Sequence, residues 1–397
     1  MTIRRVSSSK ERLTSSFPLQ AYAFEASPRS AARAEEFRAY LPYNQGNRTL
    51  VVEESGETRA AVSAIPMRQN LRGRVLPMAG VAGVVTHPLA RRQGHVRTLL
   101  HRLLDEMLDD GHQLTALWPF RPSFYERFGY VGLPMPRTAT LPVADLAPLV
   151  RAELPGEVRW ERIGAGYPTW RTFTERCLRE RHGFAIFPDY RDVALRDRDE
   201  RWLLTARVDG AVAGAVTYRI EDHGGTLAAD DLLATDPYAR ALLLQFFARH
   251  IDQVATVRFD VPADETPELW LTDLEVHVET RITRPGSCAP MARLLSTDAL
   301  AGLPAGPGRV RVELTGDRWL AGTYLLDGTT GALELVRGEA GTAPSATLTA
   351  AGLSGLAYGV LDPVEVQLRG LGDVPADAAA ELRRLFPRRL PYLFADF

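Results

Sequence analysis

Thr86-His87-Pro88-Leu89-Ala90-Arg91-Arg92-Gln93-Gly94-His95-Val96-Arg97 is the densest local signal in the 397 residues. An apolar stretch, Gly80–Thr86, runs into it and reads as a strand buried on both faces. Pro88 ends that strand. A helix leaves at the glycine: Val96, Leu99, Leu100, Leu103, Leu104 and Met107 recur at helical spacing on one face, and Gly111 sits where a C-cap belongs. The first N–H groups of such a helix have no intrahelical partner, and the macrodipole adds partial positive charge there. Gly94 lets the backbone approach a ligand closely, and Arg91, Arg92 and Arg97 add charge. Together these features predict an anion site best matched to a pyrophosphate. The alternative is a solvated basic turn. Neither G-x-G-x-x-G nor G-x-x-x-x-G-K occurs, which excludes the Rossmann and P-loop versions of such a site.

Outward from this loop, three regions separate. In residues 1–150, Thr49–Glu53 and Arg59–Ile65 predict a hairpin around Glu54-Ser55-Gly56-Glu57. Leu114–Trp118 predicts a strand after the helix, broken by Pro119 and Pro122. Residues 151–287 repeat the order: Trp202–Val208 and Ala213–Ile220 around Asp209-Gly210-Ala211-Val212, then a strand Ala229–Thr235, Asp236-Pro237, and a helix Ala239–His250. The repeat lacks an Arg-Arg-x-Gly insert, so only the first copy is expected to hold a pyrophosphate. The second is then scaffold or one side of a substrate site. Residues 288–397 differ: short strands at Arg309–Leu314, Thr323–Leu326 and Ala332–Val336, and helices at Gly352–Tyr358 and Ala376–Phe386. The tail Pro387–Phe397 is too apolar to stay in water, and it is expected to dock and place its end at a fixed position.

Composition narrows the function classes. Apolar residues are 45% and charged residues 24%, as in globular proteins, and the net charge is −2, without the basic excess of a nucleic-acid binder. Two cysteines, Cys177 and Cys288, cannot build a disulfide framework or a four-ligand zinc site, and no metal is expected. Lys10 is the one lysine among 47 basic residues and lies in a polar N-terminal segment, which disfavours Schiff-base chemistry. No signal peptide or membrane-spanning run is visible, so the expected location is the cytoplasm. No G-x-S-x-G appears, and the histidines lack metal-ligand spacing; His87 and His95 are expected to be structural.

Arg91-Arg92-Gln93-Gly94 resembles the R/Q-x-x-G-x-G/A motif of Gcn5-related N-acetyltransferases (GNAT), with Val96 in place of the last small residue. Val81–Arg97, Leu114–Leu117 and Tyr125-Glu126-Arg127-Phe128-Gly129-Tyr130 together resemble the Eis (enhanced intracellular survival) subfamily, whose members share Y-x-R-F-G-Y and end in Phe. The resemblance implies an α+β fold of two tandem GNAT-like domains with mixed sheets, at 1–150 and 151–287. A sterol-carrier-like α/β domain at 288–397 would follow. It implies acetyl-CoA as co-substrate and a small-molecule or peptide amine as acceptor, aminoglycoside-like or lysine-type, with no nucleic acid or membrane partner. A homohexamer is implied by resemblance alone.

The same resemblance assigns roles. Val84, Val85 and Thr86 would meet the thioester and pantetheine. Arg91, Arg92, Gln93, Gly94, His95, Val96 and Arg97 would cradle the pyrophosphate, with Phe120 and Arg121 bordering the coenzyme. Tyr125 would be the general acid, although it also reads as one more core aromatic beside Phe124, Phe128 and Tyr130. The terminal carboxylate of Phe397 would be the general base; simple hydrophobic anchoring is the alternative. Glu25, Phe37, Trp118 and Asp396 are candidate acceptor contacts. Two other readings stay open: an acyl-CoA-responsive binding protein without turnover, and a lipid carrier acting through residues 288–397.

Overall fold

A computed structural model of the chain describes residues 2–25, 27–28, 30–283, 287–338 and 342–397, with the backbone alone at 31–34. The chain divides into two units. Met1–Leu133, Arg181–Ala194 and Arg284–Phe397 form the first; Pro134–Glu180 and Leu195–Thr283 form the second. The boundaries expected at 150 and 287 fall elsewhere because strands cross them. Arg137–Pro142 pairs with Thr256–Val261 in the second unit, and Met291–Leu294 pairs with Leu114–Leu117 in the first.

The first unit carries a mixed sheet in the order β1 (Thr2–Arg5), β2 (Arg48–Glu54), β3 (Glu57–Leu71), β4 (Arg74–Thr86), β5 (Leu114–Leu117), then Met291–Leu294 and β6 (Val131–Gly132). Ala185–Ile186 pairs with β3 off this path. Helices α1 (Ser9–Arg12), α2 (Ser16–Phe24) and α3 (Ala31–Tyr40) precede β2; α4 (His95–Asp109) links β4 to β5; α5 (Pro122–Glu126) follows β5. Strands β3 and β4 are longer than the pattern predicts, because they continue through Pro66 and Pro77 to a tight turn at Arg72-Gly73. Both prolines fall where a strand edge is free. Pairing of β3 with β2 starts at Ala64, short of Pro66, and pairing of β4 with β5 starts at Met78, past Pro77. A missing N–H costs nothing there.

Strand alternation sorts the core onto two faces of this sheet. Ala79 and Val81 of β4 and Leu117 of β5 face a cluster with Leu99, Leu100, Leu103, Leu104 and Met107 of α4, and with Tyr125, Phe128 and Tyr130. Met78 of β4 and Leu114 and Ala116 of β5 face the other cluster, which runs on into the C-terminal sheet. Full burial of such leucines stabilises the fold by about 1.5–3 kcal/mol each, so the periodicity of α4 has a direct energetic cause.

The C-terminal sheet, also in the first unit, runs Glu334–Arg337, Gly322–Asp327, Arg309–Thr315, Ser345–Thr349, Gly372–Asp373. Helices Ala350–Ala357 and Ala376–Leu385 cover it, and its interior is filled by its own side chains, among them Val310, Val312, Leu348, Leu356 and Leu382. Pairing of Arg309–Thr315 with Ser345–Thr349 is parallel, a connection the local pattern did not reveal.

The second unit holds a sheet ordered His277–Glu279, Arg137–Pro142, Thr256–Val261, Thr226–Asp231, Ala211–Ile220, Trp202–Val208, Glu157–Arg162. The expected hairpin is present with a two-residue turn, Asp209-Gly210, since Val208 pairs with Ala211. The expected strand 229–235 is split into Thr226–Asp231 and Leu233–Ala234, and helix Pro237–Ala248 follows.

Candidate active site

Parallel pairing of β4 with β5 runs from Met78↔Leu114 to Val81↔Leu117 and stops. Strand β4 continues to Thr86, paired only with β3 on its other side. Residues 82–86 therefore present backbone donors and acceptors along an open edge. The expectation that Gly80–Thr86 is buried on both faces holds for Gly80 and Val81 but not for Ala82, Gly83, Val84 and Thr86, which are half-exposed because β5 has left. The pairing of β3 with β4 shifts between Ala61↔Val85 and Ser63↔Ala82, a bulge that puts Gly83 and Val84 opposite Val62. The bulge reverses the alternation, so Val84 faces the α4 cluster and Val85 the opposite face. The Gln20 amide of α2 donates to the Gly83 carbonyl at 3.2 Å.

Past Thr86 the chain makes a 3-10 turn, Pro88–Ala90, capped by the Leu89 N–H on His87 Nδ1 at 3.3 Å. Arg92 has a left-handed backbone (φ 65), and Gly94, the N-cap of α4, has φ 84. A Cβ on Gly94 would meet nothing within 4 Å, so glycine is needed there for conformation and not for space. No side chain caps α4, and no acidic residue lies in its first turn. Arg91, Arg92, Gln93 and Arg97 are exposed around this end. Val96 is half-buried against the α4 core. His95 is buried; its Nε2 meets Gln93 Oε1 at 3.2 Å, and its Nδ1 has no partner. The residues thus fit a polyanion: an uncapped helix end, three exposed cations and no acidic residue in the first turn.

Tyr125 rises from α5 on the α4 face of the sheet and is 2% exposed. Phe124 and Phe120 touch its ring at centroid distances of 5.0 and 5.5 Å, and Tyr130 lies at 6.1 Å. Burial pushes its phenol above the usual range, with Tyr130 adding to the shift. The Y-x-R-F-G-Y segment is a turn. N–H groups of Phe128 and Tyr130 donate to the Tyr125 carbonyl, and Tyr130 is pinned to Thr115 of β5 through their hydroxyls at 3.1 Å. Arg293, fully buried and missed in the sequence, holds the Phe128 carbonyl and pairs with Asp317 at 3.0 Å. Phe120 is half-exposed and Arg121 exposed, at the entrance to α5.

The C-terminal tail is docked on the opposite face. Tyr392, Leu393 and Ala395 are buried; Phe394 stacks on Phe184 at 4.5 Å; and the Tyr392 N–H donates to the His182 carbonyl at 2.9 Å. The Phe397 ring lies on Gly80, so close that a Cβ there would come within 2.7 Å of it. Phe187 meets the ring edge-on at 6.3 Å. Gly80 pairs with Ala116, one residue before the strands part. Tyr125 and Phe397 therefore approach the opening between β4 and β5 from opposite faces.

Trp118, one residue past β5, packs on the Phe397 side, with its Nε1 buried and unpartnered. Asp396 is exposed by surface area, yet the protein around it raises its carboxyl above the ordinary range while Arg191 opposes the shift. Phe37 stacks on Phe17 of α2 at 3.4 Å. Glu25 is exposed at the end of α2. Among the described residues, no group of three or more His, Cys, Asp or Glu side chains is placed to hold a metal ion, and no helix is long and apolar enough to cross a membrane.

In the second unit the equivalent features are closed. Its parallel strands Thr226–Asp231 and Thr256–Val261 separate after Ala228↔Arg258 but pair again at Asp231↔Asp260. Its helix Pro237–Ala248 is capped by Asp236, whose carboxylate accepts from the Tyr238 and Ala239 N–H groups at 2.7 and 3.2 Å. A protein carboxylate occupies the position that α4 leaves free.

Comparison with known proteins finds acetyltransferase domains in both halves of the chain. Residues 2–132 match one GNAT acetyltransferase domain family and residues 180–294 another. An uncharacterized N-acetyltransferase of Streptomyces coelicolor is 26% identical over 261 residues, covering 60% of this chain and 62% of that protein. Solved structures share the fold over the whole chain. A GCN5-related N-acetyltransferase from Kribbella flavida has a TM-score of 0.80 at 22% identity, covering 100% of this chain and 98% of its own. A probable N-acyltransferase from Enterococcus faecalis V583 has 0.80 at 19%, covering 100% of both. Eis1 from Mycobacterium abscessus has 0.77 at 19%, again covering 100% of both. The chain carries two acetyltransferase domains of the GCN5-related (GNAT) type and shares its fold with Eis1.

Proposed function

We propose that the first unit moves an acetyl group from acetyl-CoA to an amine of a multi-amine acceptor, aminoglycoside-like or lysine-type, by direct attack in a ternary complex. One observation carries this reading: the opening between β4 and β5 has an uncapped helix N-terminus at one end and the Phe397 ring seated on Gly80 at the other. Acetyl-CoA supplies the acetyl group as a thioester, with the thiol as leaving group. Exposed Arg91, Arg92 and Arg97 neutralise the pyrophosphate at the N–H groups that follow Gly94, while Gln93, His95 and Val96 shape the turn. Val84, Val85 and Thr86 offer their open backbone edge to the pantetheine and polarise the thioester carbonyl. Phe120 and Arg121 border the bound coenzyme.

Tyr125 returns a proton to the leaving thiolate. Its raised pKa keeps the phenol loaded at every physiological pH, and a thiolate formed in the same dry pocket is a stronger base than one in water. The carboxylate carried by Phe397 takes the proton of the attacking amine, directly or through water. Trp118, Phe37 and Glu25 border the acceptor, and Asp396 adds negative charge for a cationic amine.

The C-terminal sheet is read as a sterol-carrier-like platform that presents the tail. Its filled interior supports that role over lipid transport. A homohexamer is the proposed assembly. The test is an amine panel with acetyl-CoA, read by free thiol and product mass, for the wild type and for chains lengthened after Phe397. Turnover that falls on lengthening supports the mechanism; no thiol release with any amine refutes it.

A further inference from the structure

A pair of arginines on the Phe397 side of the sheet has no part in the reaction described above. Arg12, the last residue of α1, is 7% exposed. Its Nε and Nη1 are buried without a hydrogen-bond partner, and among the described residues no carboxylate pairs with it. Its electrostatic neighbour is another cation, Arg191. Helix α1 packs on Leu41–Asn44, and Arg191 reaches the same segment, donating from Nη1 to Asn44 Oδ1 at 3.1 Å. Arg191 Nε is also buried and unpaired. Its guanidinium lies over the Phe187 ring at 4.5 Å, and Phe187 in turn meets Phe397.

Such an arrangement is unfavourable as it stands. Each buried, unpaired donor has lost its hydration without a replacement, and two guanidiniums out of water repel. Burial, and the charge of Arg191, push Arg12 down to about 10, still fully protonated at neutral pH. Tyr40, Tyr190 and Asp396 are the acidic groups coupled to Arg191; of these only Asp396 is a carboxylate, and one carboxylate does not balance two cations and does not fill the Arg12 donors. A planar two-oxygen anion matches the guanidinium fork and would satisfy both residues.

We propose that Arg12 and Arg191 form a carboxylate-binding subsite for the acceptor, so that the substrate is an amino acid-like molecule with its reacting amine at the far end of a flexible chain. This rests on the acetyl-transfer reading and selects the lysine-type acceptor within it. Phe187 touches both the Arg191 guanidinium and the Phe397 ring, so the subsite adjoins the tail while its cations stay distinct from the residue that carries the base.

The test compares L-lysine with 1,5-diaminopentane, which has the same amines without the carboxylate, in wild type, Arg12→Met and Arg191→Met. The wild type should favour lysine at least tenfold in kcat/KM, and that ratio should fall at least tenfold in Arg12→Met. A wild-type ratio near one, or a ratio unmoved by both variants, overturns the proposal. A second readout needs no turnover: glutarate should raise the unfolding temperature of the wild type and not that of Arg12→Met. If no amine is acetylated yet glutarate still separates the two proteins, the acetyl-transfer reading fails and the subsite stands. If diaminopentane is acetylated and glutarate stabilises neither, the subsite fails and the transfer reading stands.

Discussion

Replacing Gly80 by alanine should uncouple turnover from stability. An alanine Cβ would lie 2.7, 2.8 and 3.0 Å from three carbons of the Phe397 ring. Ordinary carbon contacts are about 3.5–4.0 Å, so the ring must retreat by roughly 1 Å. It can do so cheaply, because it is half-buried at a chain end. The overpacking cost should therefore sit near the low end of the usual range, about 1 kcal/mol. Lost chain entropy in the unfolded state offsets about 0.4–1 kcal/mol of that. Net stability should scarcely change. The carboxylate, however, moves with the ring. A misplacement of about 1 Å in a reacting group costs on the order of 100-fold in rate, or about 2.7 kcal/mol in the barrier.

The assay is thiol release at saturating acetyl-CoA and amine, beside calorimetry for acetyl-CoA and a thermal unfolding curve. Gly80→Ala should lose about 100-fold in kcat while its acetyl-CoA affinity and unfolding temperature stay near those of the wild type. A double-variant cycle sharpens the result. If Gly80 acts only through the ring, adding Gly80→Ala to Phe397→Ala should cause no further loss. Wild-type turnover in Gly80→Ala, or full additivity in the cycle, would refute the claim that the ring's seat on β4 aims the terminus.

Three further outcomes follow from the same geometry. Tyr125→Phe should reduce kcat by on the order of 100-fold or more, with thermal stability retained, because among the described residues none hydrogen-bonds the lost hydroxyl; equal thiol-release rates would remove it from the mechanism. Gly94→Asp places a carboxylate beside the free N–H groups of α4, as Asp236 does in the second unit, and should raise the acetyl-CoA Kd at least about tenfold relative to the isosteric Gly94→Asn; calorimetry showing equal affinities would relocate the pyrophosphate. His182 is buried and neutral, with Nδ1 accepting from the Arg72 N–H at 3.0 Å and Nε2 donating to the Tyr358 carbonyl at 2.9 Å, and burial pushes it down to about 4 from 6.5. The unfolded chain then takes up a proton first as pH falls, so stability is full above 6.5 and on the order of 3 kcal/mol is lost on the way down to 4. Urea midpoints at pH 7.5 and 4.5 should show that loss in wild type and a smaller one in His182→Gln.

The loop at residues 86–97 was readable because its physics is local. A strand end, a left-handed glycine and an uncapped helix are all set by a dozen consecutive residues. The α4 face was readable for the same reason: one helical stripe meets one sheet face. The tail was legible as apolar, but its seat was not, because Gly80 and Phe397 are 317 positions apart and nothing in either neighbourhood names the other. Strands β3 and β4 run past the spans Arg59–Ile65 and Gly80–Thr86 that the pattern predicts, because their passage through Pro66 and Pro77 depends on where neighbouring strands stop. Arg12, Arg191 and Arg293 were invisible among so many arginines; burial distinguishes them, and burial is a tertiary property. The interleaving of the first unit from three segments was hidden likewise, since Met291–Leu294 looks like any short apolar run until it pairs with β5.

The two units show how similar folds can present different backbone groups to a ligand. Both have a strand, a Pro-led turn and a helix feeding a parallel neighbour. In one, the strands part for good after Val81, and the helix begins at a bare glycine. In the other, the strands close again at Asp231 and Asp260, and an aspartate fills the helix end. Two local changes, a resumed ladder and a side-chain cap, satisfy the backbone groups that a coenzyme would otherwise use. A chain whose own groups are satisfied gains nothing by binding a polyanion there. The converse holds in the first unit, where the open edge, the uncapped helix end and the buried, unpaired arginines leave groups that a bound anion would satisfy. Restoring the second site would need both changes reversed, and removal of Asp236 alone should destabilise helix Pro237–Ala248 by about 1 kcal/mol without creating coenzyme affinity.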